Sequence, residues 1–285
     1  MRKIYLDKLI YTRVFLVSMA IGILNAISAI TRGDVTGTEI LLKSFYSILF
    51  IENIPSSIRV VVFPLLITTL LSSCVSEDYK IITYYGFHRN GGRIGWLKKQ
   101  YFKMFLYILS ASFIYGIANF IIQFFIYDKF EVSKELYIIL IENIVLLAMF
   151  LFFATLLSIV ISLLISPKWV IILNAVWILF FAGLVKYTEH SIFYYLNPIT
   201  NFMQSYHEGL LPMLGNEHNT VLQFEYSLIY FSLLTVVIAV VGCIIIKKIE
   251  PGIKVQRSDY HLFVSYAAHR TRYFPCRNRS EQFVM

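Results

Sequence analysis

Apolar residues in this chain come in long unbroken runs, without the period of 2 or 3.6 that marks a half-buried strand or a surface helix. Six runs stand out: Val14–Ile30, Pro55–Ser76, Met104–Tyr127, Leu136–Ile165, Trp169–Val185 and Tyr226–Ile246. A helix needs roughly 17–25 residues to cross about 30 Å of hydrocarbon, so all six are spanning candidates. The first and fifth are short, and the fourth has length to tilt or protrude. Continuous runs without polar alternation favour helices over a barrel. The predicted fold is an all-α polytopic membrane protein with six transmembrane helices over residues 1–250 and a basic tail over 251–285. The first run is expected to be a retained span, because no small-x-small cleavage site follows it.

The segments between the runs carry their own pattern. Ile4, Leu6, Leu9 and Ile10 alternate with Arg2, Lys3, Asp7 and Lys8, which fits either a short interfacial amphipathic helix or a disordered basic start. Pro55 is placed to open the second span, and Pro64 is expected to kink it. Arg59, near one end of that span, is expected to snorkel outward. The loop Glu77–Lys103 opens on Glu77 and Asp78, continues through an apolar-aromatic run from Tyr79 to Tyr85, and has a helix stop at Gly86. Arg89–Asn90–Gly91–Gly92 reads as a turn, and Arg93–Lys103 as a basic helix leading into the third span. Ser166–Pro167–Lys168 is a tight turn. Between Lys186 and Gln223, Ile192–Leu196 and Gly209–Leu214 are too short to cross and read as re-entrant pieces.

Composition supports lipid as the solvent. Apolar residues make up 58% and charged residues 15%, against roughly 45–50% and about 25% in soluble domains. The charges that remain are distributed unevenly. With both termini cytoplasmic, nineteen Lys and Arg fall on the inner side and five in outer loops, Arg59 aside, as the positive-inside rule demands. The net charge of +8 then has a membrane explanation, through attraction to anionic headgroups. It does not call for nucleic acid.

Catalytic and metal chemistry find little support. Cys74, Cys243 and Cys276 are scattered and fit no zinc or disulfide framework. His190, His207 and His218 each neighbour a glutamate, but adjacent residues do not face one another on a helix, so no metal site is expected. The spans contain no histidine to serve as a base, which argues against an intramembrane enzyme. No G-x-x-x-x-G-K-[ST] occurs, so no loop is built to cradle ATP phosphates. Five polar residues at membrane depth remain: Asn119 and Gln123 on one helix face, Glu142 and Asn143 near a span end, and Asn174. They either line a translocation path or bond helix to helix.

Taken together, the basic entry helix, six spans, cytoplasmic termini, acid-led loop and re-entrant outer segment resemble the membrane subunits of type 2 ATP-binding-cassette exporters. The resemblance covers roughly Met1–Glu250, and the tail beyond Ile249 is longer than that family usually carries. It implies that the loop after span 2 couples to a separate ATPase subunit through Glu77, Asp78, Tyr79, Ile82, Gly86 and Arg89, with Lys98 or Lys99 leading into span 3. It further implies a second permease subunit, identical or related, with ATP and Mg on the partner and no cofactor in this chain. The small size and aromatic content look like permeases of antimicrobial-peptide immunity or export. A non-transporting membrane sensor or immunity protein is the alternative.

Overall fold

The apolar runs become long helices. The computed structural model describes residues 2–30, 58–81, 87, 90–126, 134–188, 192–202 and 222–248. In chain order these form α1 (Arg2–Ile30), a π-helical turn (Ile58–Val62), α2 (Phe63–Ile81), α3 (Gly92–Ile126) and α4 (Lys134–Leu164). There follow α5 (Pro167–Thr188), the short α6 (Ile192–Leu196) and α7 (Pro198–Phe202), and α8 (Phe224–Lys248). The chain divides into two units, Met1–Lys247 and Lys248–Met285, and beyond Lys248 the second lies outside the described residues.

Among the described residues, five helices are long and apolar enough to cross a membrane, over Ile10–Ser28, Ile58–Tyr79, Gly92–Ile126, Leu140–Leu164 and Phe224–Lys248. Trp169–Leu184 within α5 is a shorter apolar stretch. The chain is thus an all-α polytopic membrane protein. α1 runs unbroken from Arg2, so the start, read as either a short interfacial helix or a disordered basic stretch, is the beginning of the first long helix. No glycine or proline precedes Gly22 to interrupt it. In the same way α3 takes in both the basic entry segment and the third span as one rod.

Local sequence accounts for the irregular points. Pro64 has no N–H for the carbonyl of Val60, and the wide turn Ile58–Val62 sits just before it. Gly91 and Gly92 have φ of 74° and 84°, a left-handed conformation that glycine adopts without steric cost. They reverse the chain into α3 at the expected turn. Pro167 opens α5, where its missing N–H costs nothing, and the Ser166 carbonyl accepts the Trp169 N–H at 3.1 Å.

Side-chain pairs fix the helix directions. Tyr11 meets Tyr107, and Gly22 meets Tyr115 and Ala118, so α1 and α3 run parallel. Phe63 stacks on Tyr115 and Asp78 bonds Gln100, so α2 and α3 are antiparallel. Gly116 against Ile144, and Phe105 against Phe152, set α4 antiparallel to α3. Phe231 touches Phe150 and Phe153 while Gly242 faces Val160, which makes α8 parallel to α4. One end of this arrangement therefore gathers the start of α1, the α2–α3 turn, the α4–α5 turn and Lys247. We call it the basic end, and the opposite one the far end.

The close approach of α1 to α3 depends on a missing side chain, as in many membrane helix contacts. A Cβ on Gly22 would lie 2.8 Å from the Tyr115 carbonyl oxygen and 2.9 Å from Ala118 Cβ, whereas one on Gly183 would meet nothing within 4 Å. Gly22→Ala should therefore destabilise by about 1–3 kcal/mol through overpacking, while Gly183→Ala should be neutral or slightly stabilising. Thermal unfolding of the two variants in mild detergent should show these opposite signs.

Candidate functional site

The far half of the bundle encloses a charge. Arg59 is only 4% exposed, although its place near a span end had pointed to a side chain reaching outward. It sits in the π-helical turn, where Val60 beside it is also buried. There its Nη2 donates to Asn143 Oδ1 of α4. Its guanidinium lies over the ring of Phe202 at 4.9 Å, a contact that gains strength when desolvated. Phe202 in turn stacks on Phe150 at 4.6 Å between centroids.

The helix directions place further polar groups at the same depth. Tyr115, fully buried and stacked on Phe63 one turn along from Arg59, lies within electrostatic reach of the guanidinium. Asn119 follows one turn later on α3, and Gln123 Nε2 donates to its Oδ1 at 2.9 Å. Asn25 falls level with them on α1, fully buried. Buried polar atoms without a hydrogen-bond partner include both amide atoms of Asn25, the hydroxyls of Ser112 and Tyr115, and Gln123 Oε1. Such atoms usually mark a place that water or a polar solute completes.

A small helical pair closes this end. Asn197 Oδ1 accepts the Ile199 N–H at 2.9 Å, capping α7, and its Nδ2 donates to the Phe181 carbonyl of α5 at 2.9 Å. Asn201 Nδ2 donates to the carbonyls of Tyr195 (2.8 Å) and Asn197 (3.0 Å), while its Oδ1 accepts from Ser227 of α8 at 3.0 Å. Tyr226 and Tyr230 of α8 donate to the carbonyls of Tyr195 (3.3 Å) and Leu196 (2.6 Å). Two five-residue helices are too short to hold themselves; here side chains satisfy their backbone and pin them to α5 and α8.

The path candidates separate into two groups. Asn119, Gln123 and Asn143 are buried in the far-end layer, and Glu142 is half-buried beside Asn143. Asn174 is elsewhere. Its Oδ1 accepts from Ser158 of α4 at 2.9 Å and from Trp177 Nε1 at 3.2 Å. Ser158 lies fifteen residues along α4 from Asn143, about 22 Å toward the basic end. Arg59 and Asn25 complete the layer and were not among the sequence candidates. The signal for each was a polar residue inside an apolar run.

At the basic end, Glu77 is exposed on α2, and half-buried Asp78 accepts from Gln100 Nε2 of α3 at 3.1 Å. Tyr79 packs on Trp96 (5.6 Å) and Phe87 (5.9 Å), which also meet each other edge to face. This knot ties the α2–α3 connection to its own helices. Ile82, Gly86 and Arg89 lie outside the described residues, as do His190, His207, His218 and the stretch Gly209–Leu214.

No family model matches this chain, no curated protein matches it, and no solved structure matches it.

The Arg59–Asn143 contact has a testable asymmetry. Asn143→Leu removes an acceptor from a buried guanidinium and should cost about 1–3 kcal/mol, while adding Arg59→Met should recover part of that loss. Thermal unfolding of both variants in detergent measures the difference.

Proposed function

We propose that this chain is the permease subunit of an ATP-binding-cassette transporter, moving an amphipathic peptide or lipid-like substrate across the cytoplasmic membrane. In this reading α5 is the sixth span, since its 22 residues cover about 33 Å, and the basic end is cytoplasmic with both termini on that side. Energy comes from a separate ATPase subunit that carries ATP and Mg. A second permease subunit, identical or related, completes the pathway, and two-fold pairing is the commonest oligomer symmetry. Peptide immunity or export is the narrower form of the proposal.

The observation that carries the reading is a mechanical one. A near-continuous helical rod joins the acid-led α2–α3 connection to Arg59, with Glu77 and Arg59 eighteen residues apart, about 27 Å. The Asp78–Gln100 bond and the Tyr79–Phe87–Trp96 knot couple that rod to α3, whose far half carries Tyr115 and Asn119. A push on the loop therefore reaches two walls of the buried polar layer at once. Exposed Glu77 would meet basic groups on the ATPase. Ionisable groups inside a span are costly and tend to serve a function, which supports a role for buried Arg59 in the proposed pathway.

The test is co-purification of the chain in mild detergent, with mass spectrometry of its companions. An ATP-binding-cassette ATPase should accompany the native chain and be lost from the triple variant Glu77→Ala, Asp78→Ala, Arg89→Ala. If conditions that keep a known exporter intact recover no ATPase, the permease reading fails and the non-transporting sensor or immunity protein takes its place.

A further inference from the structure

The flank of the bundle between α3 and α8 carries an open cavity of about 370 Å³, well away from the polar layer. Cavities of about 300–1,000 Å³ are the ones that hold small ligands. Its walls are apolar, with Ile94 on α3 and Val236, Val240 and Ile244 on α8. Three features distinguish it from an ordinary lipid-facing surface. Lys98 and Lys247, both exposed, lie together at its basic end. Arg93 adds a cation there, its Nη1 donating to the Ile246 carbonyl at 3.4 Å. Tyr101, 8% exposed, lines the cavity, and its buried hydroxyl has no hydrogen-bond partner.

The cavity has its shape because of Gly242. A Cβ at that position would lie 2.1 Å from the Tyr101 oxygen and 3.0 Å from Val160 Cγ2, so only glycine lets the phenol tuck between α3 and α8. An apolar slot with cations at one end matches an anionic lipid better than water or lipid tails alone. We propose that this groove binds an anionic glycerophospholipid. One acyl chain lies along Val236, Val240 and Ile244. The phosphodiester is held by Lys98 and Lys247, beside the Tyr101 ring that lines the slot. A second copy of this chain is the less suitable occupant. A two-fold contact through the groove would bring a second Lys98 and Lys247 onto the first pair, whereas a phosphodiester neutralises them. The assignment requires only that the helices span a bilayer, and is independent of the transport reading.

The test uses the full chain, delipidated in mild detergent, with native mass spectrometry and thermal unfolding as readouts. Added phosphatidylglycerol should be retained and should stabilise the chain at much lower concentration than phosphatidylcholine with the same acyl chains. Lys98→Gln with Lys247→Gln should reduce that preference by roughly tenfold to thirtyfold, following the contribution of each cation near anionic headgroups. Lys98→Arg with Lys247→Arg should keep it. Ala239→Phe, which fills the slot, should abolish retention of both lipids while the lipid-free unfolding temperature stays near that of the native chain. Equal stabilisation by the two lipids, or a preference that survives the Gln pair, overturns the proposal. So does a lipid-free dimer that Ala239→Phe dissociates, because it would make the groove a protein interface.

Discussion

A guanidinium cannot be dehydrated in an apolar bundle without acceptors and a polarisable cover. The unsatisfied cost runs to several kcal/mol. Arg59 therefore dictates much of what surrounds it. Asn143 has to face inward from α4 at the depth of the π-helical turn, which fixes the register of α2 against α4. Phe202 has to lie over the cation, which fixes where the short pair α6–α7 docks. Phe150 backs Phe202, and Ser227 holds Asn201, so α8 is tied into the same chain of requirements.

The two ends of the bundle are built on different physics. The far end uses directional hydrogen bonds among amides, hydroxyls and carbonyls. The basic end uses an aromatic knot, a few bonds such as Asp78–Gln100 and Arg93 to the Ile246 carbonyl, and exposed charges such as Glu77, Lys98 and Lys247. Between them the helices meet through small contacts, with Gly22 and Gly116 allowing α1 and α4 close against α3. Lipid tails offer no hydrophobic drive for helices to associate, so packing of this kind, with the polar bonds, sets the arrangement.

Run length was enough to locate the helices in the sequence, because a spanning helix needs only sustained apolarity. Five of the six expected runs recur as helices that can cross a membrane, and the sixth as the shorter apolar part of α5. The short helix at Ile192–Leu196 was also legible, since a five-residue apolar stretch beside Asn197–Pro198 is too short to cross. What could not be read was direction around each helix axis. Apolar residues cover nearly all sides of these helices, so no moment points inward and the facing of a polar residue depends on its partner. Arg59 illustrates this: the residue that turns it inward is eighty-four positions away in the chain. Asn174 shows the converse, since its amide is used in a bond between α4 and α5, far from Asn143.

The hydroxyls of Tyr226 and Tyr230 have one further implication. They supply the hydrogen bonds that the carbonyls of Tyr195 and Leu196 would otherwise take from solvent. Swinging α8 away from the short pair would take the Tyr230 donor from the Leu196 carbonyl and leave that of Tyr195 with Asn201 alone, and bare backbone is not tolerated against hydrocarbon. Displacement of α8 at this end thus carries an obligatory influx of water, so that movement and wetting of the far end are one event.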